Sequence, residues 1–138
     1  MIDEFFDKEY WVVDFLPKQV PENSEGRFFS VERYYLEPSR YALLRARFAE
    51  ILLKLYCYYD IQLFLGESTD AIENPEPDVL ANYVTDNQQE LSLIIDNALI
   101  TVGRDDMNMT VYGPSEALLE MIRTLAGAVG LFVWKPEL

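Results

Sequence analysis

Alternation of apolar and polar positions is clearest in the last third of the chain. Apolar runs at residues 91–95 and 98–102 are separated by Asp96-Asn97, and Met107, Met109 and Val111 follow at every second position. Ala98, Ile100 and Val102 likewise share one side, and this period of two predicts a half-buried antiparallel sheet. Residues 91–102 read either as two strands around a tight turn or as one long bulged strand. Gly113-Pro114-Ser115-Glu116 then opens a helix. Pro114 suits its first position, where the missing N–H is not needed, and Glu116 complements the positive helix start. Leu118, Met121, Ile122, Leu125 and Val129 line one helical face, Gly130 suits a left-handed stop, and residues 131–134 form a closing strand. The side chains expected inside are Ile100, Val102, Met109, Val111, Leu118, Ile122 and Leu125.

The first half is less regular. Residues 10–16 are β-branched and aromatic and stop at Pro17, which predicts a strand, and residues 17–26 are a loop by their Pro, Gly, Asn and Ser content. Residues 27–36 resume an aromatic pattern around Phe28, Phe29, Val31, Tyr34 and Tyr35, as a second strand or an extended entry to the next helix. The longest helical signal follows Pro38-Ser39. Tyr41, Leu44, Phe48, Ile51, Leu52, Leu55 and Tyr59 fall near one face, with Arg40, Arg47, Glu50 and Lys54 largely opposite. Residues 60–65 read as a strand ending at Gly66, residues 67–78 as an exposed acidic connection, and residues 79–84 as a short helix.

The order of these elements places the chain in the α+β class. The expected fold is a single domain over residues 1–138: a two-layer sandwich, mainly antiparallel sheet covered on one face by two helices, in a ferredoxin-like arrangement. A chain of 138 residues, half of them apolar, is suited to one hydrophobic core.

Charge narrows the function classes. The formal net charge is −13, and it is uneven: residues 1–60 hold eight Lys/Arg and eleven Asp/Glu, residues 61–138 three and thirteen. A nucleic-acid binder needs a basic footprint to displace counterions, and an anionic bilayer repels this field, so neither is an expected partner. A basic protein would be attracted. The first residues lack a basic segment ahead of a long apolar core, and no run approaches the roughly 20 apolar residues of a membrane span, so the expected location is cytoplasmic.

Candidate chemistry is sparse. Histidine is absent, which removes the commonest general base and metal ligand, and no phosphate-cradling glycine motif is present. Asp96, Asp105 and Asp106 are the candidates for a hard cation or for carboxylate catalysis, although Gly103-Arg104-Asp105-Asp106 is also ordinary turn chemistry. No catalytic set, cofactor or metal site is assigned. Tyr34, Tyr35, Tyr56, Tyr58 and Tyr59, with Trp11 and Trp134, read as core and core rim, with an aromatic pocket or protein interface as the alternative. The single Cys57 reads as a buried structural thiol. Arg40, Arg45 and Arg47 lie near one helix start, but Arg45 and Arg47 point about 200° apart, so surface pairing with Glu37 and Glu50 is the simpler account.

The expected function is that of a non-catalytic cytoplasmic interaction protein, such as an acidic inhibitor or immunity-type protein for a basic partner, with homodimer formation as a further expectation. The alternative is a small-ligand or metal-binding domain, or an enzyme built on carboxylates. A concave pocket where acids and aromatics meet is the observation that separates these.

Overall fold

The structure is a computed structural model and describes residues 2–137. A 3₁₀ turn, Ile2–Asp7, leads into β1 (Tyr10–Asp14), and a shorter one, Glu22–Ser24, into α1 (Glu25–Tyr35) and α2 (Pro38–Tyr56). Then come β2 (Gln62–Leu65), β3 (Ile72–Glu73), α3 (Pro77–Asp86), β4 (Leu91–Ile95), β5 (Ala98–Val102), β6 (Asn108–Tyr112), α4 (Glu116–Ala128) and β7 (Phe132–Trp134). The strands form one open antiparallel sheet in the order β3-β2-β4-β5-β6-β1-β7. The α+β class therefore holds, but seven strands exceed the four of a ferredoxin-like unit.

Register shows why these residues form a sheet. Leu91, Val102, Met109 and Val13 lie opposite one another across four strands, and so do Leu63, Leu93, Ile100 and Val111. All eight are buried, and they form one cluster with Leu44, Phe48, Leu52 and Leu55 of α2, Leu80 and Val84 of α3, and Leu118, Ile122 and Ala126 of α4. Three helices rather than two thus contribute to the core. Each large apolar side chain in it contributes roughly 1.5–3 kcal/mol by leaving water. The other face of the sheet is partly covered as well: Phe6 packs edge-on to Tyr112 with ring centroids 5.1 Å apart, and Phe64 and Leu99 are buried there. The 3₁₀ turn at the N-terminal end supplies that cover.

Several local expectations are settled. Residues 91–102 are two strands, because Ile95 pairs with Ala98 across a two-residue turn in which Asp96 (φ 48°) and Asn97 (φ 61°) are both left-handed. Such a turn matches strand twist, and Asp and Asn tolerate it. The helix α4 begins two residues later than Pro114 implied, at Glu116: Ser115 is its cap, accepting the Leu118 N–H at 3.1 Å. Gly130 (φ 78°) closes it, with the Leu131 N–H reaching the Ala126 carbonyl at 2.8 Å. Leu125, expected inside, is only partly buried. Residues 27–36 are neither a strand nor an extended entry but most of α1. Phe28, Val31 and Tyr35 recur at helical spacing, a signal that the aromatic content of the segment obscured.

Candidate interaction surface

From Leu55 to Gly103 the chain carries nine Asp/Glu and no Lys or Arg. This stretch builds β2, β3, α3, β4 and β5, one half of the sheet with the helix beside it, and all nine carboxylate residues are exposed. At the end of these strands marked by the β4–β5 turn lies an open groove of about 450 Å³ lined by Tyr58, Tyr59, Asp60, Gln62, Glu73, Ile94, Asp96 and Asn97.

Strand pairing and two turns position these side chains. Gln62 of β2 lies opposite Glu73 of β3 and Ile94 of β4, on the sheet face away from Leu63 and the helices, and the Gln62 amide donates to Glu73 Oε1 at 2.8 Å. Tyr58-Tyr59-Asp60 is the connection from α2 to β2. Asn74, left-handed at φ 44°, fixes that connection. Its Oδ1 accepts the Ile61 N–H at 2.9 Å, its own N–H donates to the Ile61 carbonyl at 2.8 Å, and its Nδ2 donates to Asp60 Oδ1 at 3.3 Å. Asp96 enters from the β4–β5 turn and accepts the Ser115 hydroxyl at 3.1 Å. Tyr58 is 69% exposed, so a large aromatic surface stands beside three carboxylates. Chemically the groove offers carboxylate and amide acceptors together with aromatic surface, a combination suited to a guanidinium or ammonium group.

The acidic candidates do not share one site. Asp96 precedes β5, whereas Asp105 and Asp106 follow it, so the five-residue strand separates them by roughly 16 Å at about 3.3 Å per residue. Asp105, left-handed at φ 64°, is tied to the end of α3: Asn87 Nδ2 donates to its carboxylate at 2.7 Å and its own N–H donates to Asn87 Oδ1 at 2.8 Å. Asp106 tucks its carboxylate against Gly103, where any Cβ would collide with it and come within 3.0 Å of Glu90 Oε2. Partial burial pushes the Asp106 carboxyl above its ordinary value, Glu90 adds to the rise, and Arg45 opposes it. Among the described residues no group of three His, Cys, Asp or Glu is placed to hold a metal ion.

Arg45 is the polar residue the sequence reading misplaced. It is fully buried, not on the surface. Its Nε donates to the Val84 carbonyl at 2.7 Å and its Nη1 to the Gly103 carbonyl at 2.8 Å, while Nη2 has no hydrogen-bond partner among the described residues. Tyr41, one turn earlier, donates its hydroxyl to the Asp106 carbonyl at 2.6 Å. A signal was present: Arg45 follows Tyr41 by four residues and precedes Phe48 by three, on the apolar stripe itself. Arg40 does pair with Glu37, at 3.8 Å, and Glu50 pairs with Lys54, at 3.0 Å.

The remaining aromatic and thiol expectations divide. Tyr41 is in the core, Tyr56 and Tyr59 pack at its rim, and Tyr34, Tyr35 and Tyr58 are exposed. Cys57 is exposed rather than buried, because α2 ends at Tyr56, just past its last buried residue, Leu55.

No helix among the described residues is long and apolar enough to cross a membrane. No known protein family, curated protein or solved structure matches the chain.

Proposed function

We propose that this chain is a non-catalytic docking protein whose acidic half binds a basic protein, in the manner of an acidic inhibitor or immunity-type protein. The observation that carries the reading is the run of nine exposed carboxylate residues with no cation between Leu55 and Gly103. Such a field speeds encounter with a cationic surface, and the groove beside Tyr58 gives that surface a place to insert a basic side chain. An aromatic anchor inside a polar rim is the usual composition of an interface centre. The reading also treats the molecule as a two-layer sandwich, ferredoxin-like in its layering and extended by extra strands, because this leaves the β3 edge and the adjoining groove at Gln62 and Ile94 open to a partner. Enzymatic use of Asp96 with Asp105 or Asp106 has no comparable support, since they stand at opposite ends of β5.

The test is capture from native lysate of the source organism at low salt. The wild-type chain is compared with the double variant Asp60→Asn/Glu73→Gln, which removes two charges from the groove and keeps side-chain shape. The proposal expects a basic protein that is retained by the wild type, released by added salt and held more weakly by the variant. Recovery of no basic protein, or equal retention by both chains, counts against it.

A further inference from the structure

The helix α1 is unusual in that none of its residues is buried. Phe29, Val31, Tyr34 and Tyr35 are all exposed, and Leu43 on the adjoining α2 is 65% exposed. An eleven-residue helix is marginal in water on its own, and helices in proteins draw most of their stability from a packed apolar face. Here the observed support is slight. The Tyr35 ring meets Phe15 with centroids 5.3 Å apart, and the Arg40 guanidinium stacks 3.7 Å from the Tyr34 ring centroid. An exposed apolar face of this kind marks an interaction surface.

It is also the least acidic part of the molecule. Residues 25–54 hold six of the eleven Lys/Arg, one of them the buried Arg45, against four Asp/Glu. Arg27, Arg33 and Arg47 are exposed and form no ion pair among the described residues. Arg40 and Arg47 flank a groove of about 310 Å³ whose apolar wall includes Tyr35, Leu43 and Met107.

We infer that this α1–α2 face docks on the acidic half of a second copy of the same chain. Charge complementarity identifies the occupant, because the chain itself presents a surface of nine carboxylates without a cation and with Tyr58 standing free. The net charge of −13 on each copy opposes approach at long range. Physiological salt screens that repulsion beyond about 8 Å and leaves contacts between adjacent patches much less affected. In a two-fold pair the basic face of each copy meets the acidic half of the other, so the contact forms twice and the assembly closes.

Sedimentation equilibrium of the full chain alone tests this, without any other protein. At about 0.15 M NaCl, the condition that screens net repulsion, the expected result is a concentration-dependent species of twice the 16.0 kDa chain mass. The triple variant Tyr34→Ser/Leu43→Ser/Arg47→Glu alters only exposed side chains, and circular dichroism checks that it keeps its fold. It is expected to pair at least tenfold more weakly. A wild-type chain that stays monomeric at every concentration overturns the inference, as does a folded variant that pairs as well as the wild type. A monomeric chain that still captures a basic protein overturns the pairing alone and leaves the basic-partner reading standing.

Discussion

Two residues on β1 and β7 illustrate how a buried charge writes itself into stability. Asp14 is almost entirely buried, and burial pushes its carboxyl above the ordinary value of 3.8 despite the Phe15 N–H at 2.8 Å and the indole of Trp134 nearby. A folded-state value above the unfolded one means that the folded chain holds this proton more tightly. The contribution is therefore fully present below pH 3.8 and lost as pH rises through the folded value. Replacing Asp14 by Asn removes the buried charge, so the melting temperature is expected to rise at neutral pH, with the difference closing as pH falls through the folded value towards 3.8. Thermal melts of both chains across that range check this, and a variant that melts lower at neutral pH contradicts it. Cys57 makes a second residue-scale case. With no histidine and no second cysteine in the chain it reads as a structural thiol in the core, but its place at the end of α2 exposes it. A disulfide reagent is expected to titrate one thiol in the native state without denaturant. A thiol that reacts only after unfolding contradicts that placement.

At the scale of elements, the last third of the chain, β1 and α2 were legible and α1 was not, for a physical reason. Strands β4 and β6 and helix α4 each bury one face, and β5 buries that face together with Leu99, so period-two and 3.6-residue patterns reported them faithfully. Helix α1 buries none of its residues, so the helical spacing of Phe28, Val31 and Tyr35 stood out poorly among the other aromatic side chains. The strand β3 was hidden inside an acidic connection because two residues are too few for a pattern. Arg45 joins elements whose proximity sequence cannot show: α2 holds the carbonyl of Val84 near the end of α3 and that of Gly103 after β5 through one guanidinium. Arg45→Met preserves the apolar stem and leaves both carbonyls without their donor. The expected cost is about 3 kcal/mol, from roughly 1–3 kcal/mol for each buried group left unpaired. Denaturant unfolding measures it, and a loss below about 1 kcal/mol would show that water replaces the guanidinium at little cost.

At the scale of the whole molecule, charge and fold divide together. Residues 27–54 gather most of the cations around α1 and α2, and residues 55–103 gather carboxylates around β2 to β5. The overall acidity was plain in the sequence, but the convergence of Asp60, Glu73 and Asp96 beside Tyr58 was not, since three separate connections and strands deliver them to one groove. Asp105 and Asp106, adjacent in sequence to the same hairpin, are delivered elsewhere and serve the loop after β5. The central claim is that the groove and the field around it hold a basic protein. Its most direct measurement is the salt dependence of binding by the captured partner, titrated calorimetrically against the wild type and against Asp60→Asn/Glu73→Gln. The account predicts affinity that falls steeply as salt rises and a shallower dependence with weaker binding in the variant; salt-independent affinity, identical for the two chains, would contradict it.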